Sequence, residues 1–531
     1  MDQKNKSFFF LILFSYVIGL SYFQSLSQHW SAYYDMDGWV IYNSSLIASG
    51  YDQEFRDQPA FTLFTIYALI FKIISLFNGN LVFKIEDIIT SDNSDLVFGN
   101  LFILLRFVNS LLMVFTLLFI YKILRIFNIY KLQACLALLI VCFSPTFYQN
   151  LFEARTEILS VLTLLISFYF LANFFKKKES LLNLLLAGMF LTFSMLTAIK
   201  IIFLFSFIFL LIPILDGLFE KKINNTGFLG KNKIFALCLI FYIMLILSYV
   251  FLELFYINKH PRFTSVNNID LKIFILFNFL FLLYLIVISK FNFNKFKEFF
   301  NIFSFYLMGF ILGVILVLFL DFLKITQINF AVIGRLTNPF YYMSVYSKFS
   351  GTSLGVEYFI NTFSIFFNDF KFSKILFISM FFIFIFSLRI DFLNKNKKLL
   401  LFKIILFFCI IFNIFVFNLR YFLLYEILIF PVYLLLLLVC LKNFSIKKAN
   451  LFLCLIILYS ATTTLFTNKL VEDYPSKLLS VNEFNGIKSA FNRQELLTEM
   501  CHDGPLRVGW QYWMPRLNDN FFNRLCYPYK N

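Results

Sequence analysis

Directly after its first apolar segment, residues 8–22, the chain reads Tyr33-Tyr34-Asp35-Met36-Asp37-Gly38-Trp39. If the apolar segment crosses a membrane, this stretch emerges at the far face and lies against the lipid headgroups. Carboxylates beside a bilayer are costly unless they have partners or work to do, so ionisable residues there are functional candidates by default. Asp35 and Asp37 are therefore the first candidate site residues, and the question is whether the rest of the chain agrees.

The composition identifies an integral membrane protein. Of the 531 residues, 60% are hydrophobic and 14% are charged, whereas soluble domains are nearer half apolar and a quarter charged. Many uninterrupted apolar runs have the length of roughly 17 to 22 residues that a helix needs to cross the hydrocarbon. No alternating pattern suggests a barrel. The sequence therefore predicts an all-α polytopic fold.

The net charge of +16 comes from short basic clusters between apolar runs. In a soluble domain such a charge would suggest nucleic acid, but here the clusters are better interpreted as topology signals, so no nucleic-acid partner is expected. All seven clusters face one side, the cytoplasm, if the first outer loop extends from residue 24 to residue 100. The clusters are Lys4 and Lys6; Lys122, Arg125 and Lys131; Lys176 to Lys178; Lys221, Lys222, Lys231 and Lys233; Lys290, Lys295 and Lys297; Arg389, Lys395, Lys397 and Lys398; and Lys442, Lys447 and Lys448.

This placement predicts about thirteen transmembrane helices in a domain covering residues 1–466, with a small C-terminal outer region at 467–531. It also places the N-terminus in the cytoplasm and the C-terminus outside, which is the periplasm if the protein lies in a bacterial inner membrane, as we expect. The predicted spans are 8–22, 101–121, 132–147, 158–175, 181–198, 201–219, 234–252, 272–289, 300–320, 372–388, 399–417, 422–441 and 449–466.

Residues 60–77 are also apolar and leave two topologies open. In the first, the segment lies in or dips into the membrane interface, with Lys72 reaching toward the headgroups. In the second, the N-terminus is outside and the segment crosses. That version violates only the cluster at Lys4 and Lys6, but it puts Asp35 and Asp37 in the cytoplasm.

The C-terminal region contains two of the eight cysteines, Cys501 and Cys526, and they can form one disulfide if this region faces an oxidising compartment. No spacing typical of a structural zinc site is present. No glycine-rich phosphate-binding loop occurs, which argues against nucleotide-driven chemistry at the cytoplasmic face.

In the preferred topology, four charged residues that are far apart in sequence reach the outer face: Asp37, Glu157, Lys200 and Arg420. Transfer of a group from a phosphate-linked donor needs a base to take a proton from the acceptor, and a carboxylate suits that role. It also needs cations beside the departing phosphate, where an arginine fork matches the oxygens. The outer loops supply both types of group.

The same loops resemble those of the GT-C superfamily of polytopic glycosyltransferases, which use polyprenyl-phosphate sugars. The group includes protein mannosyltransferases and lipid A aminoarabinose transferases. Asp37 stands thirteen residues before Gly50, and Asp57-Gln58-Pro59 resembles an acidic-x-Pro element. The resemblance implies short juxtamembrane helices in the first outer loop, an inverting transfer, and a catalytic acid at Asp37.

Three further elements carry the resemblance. Ala154-Arg155-Thr156-Glu157 resembles the second-loop acid, Thr197-Ala198-Ile199-Lys200 resembles a Thr-Lys element at the end of a span, and Arg420-Tyr421 before Pro431 resembles a late Arg-Tyr pattern. The implied substrate-binding residues are Lys200, Arg420, Tyr421, Arg155 and Asp57.

The chain also departs from the family pattern. Asp37 is followed by Gly38 where many members have Asp-Glu, and Asp35 precedes it, so either aspartate can be the base. This pattern leaves the binding of a divalent metal undecided, and no other cofactor is indicated. Ala60 stands where many members have a second proline, Glu157 replaces the more usual aspartate, and two residues separate Thr197 from Lys200.

Each candidate also has a purely structural interpretation. Asp35 and Asp37 can be solvated loop acids or can cap a helix. Glu157 can simply pair with Arg155 or cap the next span. Lys200 can extend to the interface without a ligand, and Arg420 can mark the interface.

The sequence thus favours a glycosyltransferase that moves a sugar from a polyprenyl-phosphate donor to an unidentified glycan, lipid or protein acceptor at the outer face. One alternative is a transporter or flippase of lipid-linked glycans, which usually carries charges or helix breaks near the midplane. The predicted spans are nearly free of them. A polymerase or ligase of lipid-linked glycans is the other alternative, but residues 321–371 hold few of the Arg or His residues that one would use.

Overall fold

The computed structural model describes residues 3–27, 34–54, 60–79, 81–152, 154–177, 180–198, 210–212, 214–216, 218, 232–252, 271–289, 293–322, 360, 364, 371–416, 423–471 and 516. All regular structure in these ranges is helical. The helices are α1 Gln3–Ser27, α2 Tyr34–Ser49, α3 Phe61–Phe77, α4 Ile85–Thr90, α5 Ser94–Ile126, α6 Lys131–Cys142, α7 Pro145–Phe152, α8 Thr156–Lys177, α9 Leu181–Thr197, α10 Asn232–Leu252, α11 Leu271–Ile288, α12 Phe293–Phe322, α13 Lys371–Leu393, α14 Lys397–Val416, α15 Leu423–Leu441 and α16 Ile446–Val471.

Five helices in the described ranges are long and apolar enough to cross a membrane, and further helices are apolar but shorter. The all-α polytopic class is therefore confirmed, whereas the number of thirteen spans stays a prediction. The five long candidates are Leu96–Ile126, Thr156–Lys176, Phe293–Leu320, Lys374–Leu393 and Ile446–Thr464.

The predicted span 132–147 is divided into two helices. Helix α6 ends at Cys142 and α7 begins at Pro145. Proline is well tolerated in the first turn of a helix because its missing N–H would have no partner there. The Ser144 hydroxyl accepts a hydrogen bond from the N–H of Phe147 at 3.1 Å, which caps the new helix. The predicted second outer loop, residues 144–157, therefore contains a helix of its own.

Two antiparallel helix pairs define the bundle. Helices α1 and α5 meet near one end, where the Phe10 and Tyr121 rings lie 5.0 Å apart. Near the other end, the Ser21 hydroxyl donates to the carbonyl of Arg106 at 3.3 Å. Helices α8 and α9 are joined by the Ser194 hydroxyl, which donates to the carbonyl of Ser160 at 2.7 Å. The end of α9 therefore lies beside the beginning of α8.

Glycine lets α9 and α12 approach closely. A Cβ added to Gly188 would lie 1.9 Å from the carbonyl oxygen of Tyr306, and one added to Gly309 would lie 2.1 Å from the carbonyl oxygen of Leu185. The Thr192 hydroxyl donates to the carbonyl of Phe310 at 2.6 Å across this contact. Small residues promote such backbone contact between membrane helices, where burial of apolar surface provides little driving force.

Helices α2, α3 and α4, residues 34–90, fold together into a unit that we call the cap. Its buried apolar residues form one cluster with the first half of α5 and with Ala154 and Leu159 beside the start of α8. The Tyr67 hydroxyl donates to the carbonyl of Leu105 at 3.3 Å, which fixes α3 to α5. The predicted first outer loop is thus a helical subdomain with its own core.

At the opposite end of the bundle, which we call the basic end, helices α5, α8, α13 and α15 finish close together. Lys176 donates to the carbonyl of Ile126 at 3.0 Å and Lys442 donates to that of Phe127 at 2.5 Å, so cations satisfy carbonyls at the end of α5. Lys403 forms a buried ion pair with Asp391 at 2.5 Å. Much of the basic sequence that the described ranges contain gathers here, away from the cap.

Candidate functional site

The first turn of α8 carries a buried ion pair. Arg155 Nε lies 3.3 Å from Glu157 Oε2, and the hydroxyl of Thr156 donates to the same oxygen at 3.2 Å. Arg155 is 8% exposed and Glu157 is 1% exposed, so the charges are removed from bulk solvent. A carboxylate in the first turn also interacts favourably with the helix dipole. The sequence-predicted pairing of Arg155 with Glu157 is therefore present.

The residues on either side of this pair pack against the cap, since Ala154 and Leu159 belong to its buried cluster. Helix α3 of the cap is also attached to the end of α9. The N–H of Ala60 donates to the carbonyl of Thr197 at 3.1 Å, and the Thr62 hydroxyl donates to that of Phe193 at 3.2 Å. Ala60 has a φ of 41°, in the left-handed region. Proline can neither adopt this φ nor donate this hydrogen bond, so a proline does not fit at this position of the chain.

Arg106 is a site residue that the sequence analysis did not select. It lies within the predicted span 101–121, is 2% exposed, and its guanidinium carbon is 5.5 Å from the centre of the Phe102 ring. A charged residue inside an apolar run was the available signal.

One turn further along α5, Asn109 Nδ2 donates to the carbonyl of Asn150 at 2.9 Å and to that of Leu151 at 3.2 Å. Arg106 and Asn109 share a helix face, because residues three apart are neighbours on a helix surface. This face of α5 is thereby fixed to the end of α7, a few residues before Arg155. Arg106 is therefore a second buried cation, on the face of α5 that contacts the segment just before the Arg155–Glu157 pair.

An apolar cavity of about 70 Å³ lies deeper in the bundle, between α5, α8, α14 and α15. Val161, Leu164, Leu165 and Phe168 of α8 contribute to its lining, with Pro431 of α15. Val161 is one helical turn beyond Glu157, so both lie on the same face of α8. The face that presents the carboxylate at the cap end therefore continues as an apolar wall into the membrane region.

Asp35 and Asp37 lie in the first turn of α2, which begins at Tyr34. Acids in a first turn are stabilised by the helix dipole, so the location alone fits both interpretations of these residues. The side chains of both aspartates are outside the described part of the structure. Helix α2 itself is buried from Val40 to Ala48 within the cap cluster that also includes Ala154 and Leu159.

The remaining predicted site residues, Asp57, Lys200, Arg420 and Tyr421, lie outside the described residues. Their roles stay predictions. In the described ranges no group of three or more His, Cys, Asp or Glu residues is arranged to hold a metal ion.

The cap also contains a titratable cluster after α2. Burial raises the pKa of the Tyr42 phenol well above its ordinary value, and its hydrogen bond to Glu54 adds to this effect. The slight burial of Glu86 raises the pKa of that carboxyl. The hydrogen bonds from Tyr51, from its own backbone N–H and from Ser49 outweigh burial, so the pKa lies below its ordinary value. The cap therefore contains an ordered cluster of hydrogen-bonded polar groups in addition to its apolar core.

The described helices are those of a multi-pass membrane protein, and comparison with known families supports a membrane glycosyltransferase of the GT-C type. Residues 94–248 match the family model of dolichyl-phosphate-mannose-protein mannosyltransferases. The match begins at the first residue of α5 and includes Arg106, Arg155 and Glu157. No curated protein and no solved structure matches the chain.

Proposed function

We propose that the protein transfers a sugar from a polyprenyl-phosphate donor to an acceptor at the outer face of the membrane, with its site beneath the cap. The observation that carries this proposal is the buried Arg155–Glu157 pair at 3.3 Å, which lies between two residues of the cap cluster and is followed on the same face of α8 by apolar side chains. A substrate with a polar head and an apolar chain fits a buried charged pair at one end of a helix face that is apolar further along. The family match over the same helices agrees with such a donor.

The charge distribution supports the orientation. Lys176, Lys403 and Lys442 lie at the basic end, together with most of the basic clusters in the described ranges. The positive-inside rule assigns that end to the cytoplasm. The cap, and with it Asp35 and Asp37, then faces the periplasm, in a bacterial inner membrane with the N-terminus cytoplasmic.

The proposed reaction is a single displacement with inversion. Asp37 or Asp35 takes the proton from the acceptor hydroxyl or amine while the acceptor attacks the anomeric carbon, and the bond from that carbon to the phosphate oxygen breaks. The electron pair leaves with the polyprenyl phosphate. Glu157 orients the acceptor or the base, and Asp57 contributes to substrate binding.

Cations stabilise the negative charge that grows on the leaving phosphate. We assign this role to Lys200 and Arg420, with Tyr421 beside them and Arg155 as a further contributor. Lys200 follows Thr197 by three residues, and the carbonyl of Thr197 binds the cap through Ala60. Arg106 joins the set because a buried guanidinium at the cap end suits an anionic group.

To test the proposal, membranes that contain the protein are incubated with a radiolabelled polyprenyl-phosphate mannose, because the matched family is named for that kind of donor. Other polyprenyl-phosphate hexoses and pentoses are tested in parallel. Asp37→Asn, alone and with Asp35→Asn, is compared with Asp92→Asn, which changes an exposed acid in the turn after α4. Expression and membrane insertion are measured for each variant.

We expect the double variant to lose sugar transfer by at least about 100-fold, the range for a positioned acid–base group, while Asp92→Asn stays at the wild-type rate. Transfer that persists in the double variant would refute the assigned base. Vectorial movement of intact donor across vesicles, without transfer, would favour the flippase alternative.

A further inference from the structure

A single arginine of the C-terminal region contacts the cap in three ways. Arg516 Nε donates to Glu54 Oε1 at 2.9 Å, and the Arg516 backbone N–H donates to the Tyr42 hydroxyl at 3.3 Å. Its guanidinium carbon lies 3.9 Å from the centre of the Tyr51 ring, a cation–π contact. A charge-assisted hydrogen bond, a backbone hydrogen bond and a ring contact thus converge on one residue.

Glu54 is itself held by the cap. The Tyr42 hydroxyl donates to Glu54 Oε2, so both carboxylate oxygens are engaged, and the Glu54 N–H donates to Asn43 Oδ1 at 3.0 Å. Tyr42 is 1% exposed and belongs to the core cluster of the cap. The carboxylate that receives Arg516 is therefore anchored in the interior of the cap.

The network continues toward the candidate base. Asn43 Nδ2 donates to the carbonyl of Trp39 at 3.0 Å, and Trp39 stands two residues after Asp37 in the same helix. One connected set of contacts therefore leads from Arg516 through Glu54 and Asn43 to the first turns of α2. Isolated exposed ion pairs contribute little, but an arginine held by a carboxylate, a backbone hydrogen bond and an aromatic face has a fixed geometry.

We propose that the C-terminal region docks on the cap through Arg516 and holds α2 in the orientation that sugar transfer requires. The second half of this inference rests on the proposed function. Arg516 acts through Glu54 and is a positioning residue. In this proposal the C-terminal region contributes to activity by positioning α2, although it lies outside the family match at residues 94–248.

Cross-linking tests the docking without reference to activity. Asp52→Cys, at an exposed position two residues before Glu54, is combined with Leu517→Cys, the residue after Arg516, so that Glu54 and Arg516 both stay in place. Cys454, Cys501 and Cys526 are first replaced by serine in the full-length protein, and membranes are treated with a bismaleimide. The control pairs Leu517→Cys with Lys131→Cys, an exposed position on the first turn of α6, at the basic end. We expect an intramolecular cross-link for the first pair and none for the control. Equal labelling of both cysteines without a cross-link in the first pair overturns the docking.

Kinetics test the positioning. Arg516→Gln and Glu54→Gln are each expected to lower kcat about 10-fold, with KM for the donor changed less than about twofold, because misplaced catalytic groups reduce turnover more than binding. The double variant should be no worse than either single one, since both remove the same contact. Arg516→Lys, which keeps the charge but loses the fork, should fall between Arg516→Gln and the wild type.

Wild-type kcat in Arg516→Gln, together with a positive cross-link, overturns the positioning role and leaves docking alone. A raised KM at unchanged kcat overturns it as well, because it would place Arg516 in donor binding. If the wild-type protein transfers no sugar from any of the donors, the proposed function fails, and cross-linking still decides whether the C-terminal region docks on the cap.

Discussion

Single and double substitutions of Arg155 and Glu157 distinguish a purely structural ion pair from one that also takes part in the reaction. Unit charges 3.3 Å apart attract by about 5 kcal/mol at an effective dielectric constant near 20. Much of this attraction only offsets the cost of desolvating the two groups. Glu157→Gln leaves Arg155 buried without its counter-charge, so we expect a loss of about 3–5 kcal/mol in the free energy of unfolding. Arg155→Gln should cost a similar amount for the reciprocal reason.

The double variant, Arg155→Gln with Glu157→Gln, removes both charges and should recover most of that stability, because two amides can hydrogen-bond each other. Stability is followed by thermal melting of the detergent-solubilised protein, and activity by sugar transfer from the polyprenyl-phosphate donor. If Glu157 orients the acceptor or the base, the double variant is stable but its kcat stays at least about 10-fold below wild type. Recovery of activity in parallel with stability would refute the assigned role and leave the pair as a structural element only.

Three further perturbations follow from the fold and the cap. Gly309→Ala should destabilise the contact between α9 and α12 by about 1–3 kcal/mol in thermal melting, because its Cβ meets backbone at 2.1 Å. Gly19→Ala, whose Cβ would meet nothing within 4 Å, should not, and equal effects would contradict the packing argument. Ala60→Pro should cost about 3 kcal/mol or more by losing a hydrogen bond and its left-handed φ, whereas Ala60→Gly should be nearly neutral. Because the pKa of Tyr42 is raised in the folded protein, its stabilisation is complete below the ordinary value of 10.0 and is lost as the pH rises further. The melting temperature of the protein should therefore fall as the pH rises above about 10, and Tyr42→Phe should reduce that fall.

The helical membrane fold could be predicted, and the basic clusters could be identified, because both depend only on local sequence. Apolar runs of membrane length are recognisable one at a time, and each positive cluster is contiguous in sequence. The approach of α9 to α12 also had a local signal, since Gly309 and Gly313 are four residues apart in an apolar helix. The signal for the core of the cap was weaker. Residues 61–77 can be recognised as an apolar helix, but the residues against which this helix packs are distant in sequence.

The contact between Glu54 and Arg516 could not be predicted, since it joins residues 462 positions apart and neither belongs to a recognisable motif. Arg106 was missed for a different reason. Averaging over the predicted span 101–121 hides one cation among many apolar residues, and only the folded structure indicates that it is buried at the cap end. The resemblance to the GT-C superfamily selected Asp35, Asp37 and Glu157 by their position in the loops, but their mutual distances are properties of the assembled bundle.

The depth of the buried charges bears on the choice between an enzyme and a transporter. Among the described residues, two predicted spans contain a buried cation, Arg106 in 101–121 and Lys403 in 399–417, so the premise that spans are nearly free of charge needs refinement. Arg106 lies 20 residues before the end of α5 at Ile126, which is about 30 Å along the helix and thus close to the full hydrocarbon thickness. Lys403 is near the basic end and is neutralised by Asp391. Neither charge is at the midplane, where a transporter would bind its cargo. Among the described residues, the buried charges outside the basic end are Arg106, Arg155 and Glu157, and they lie close to residues of the cap cluster. This is where the proposed reaction of a phosphate-linked sugar would take place.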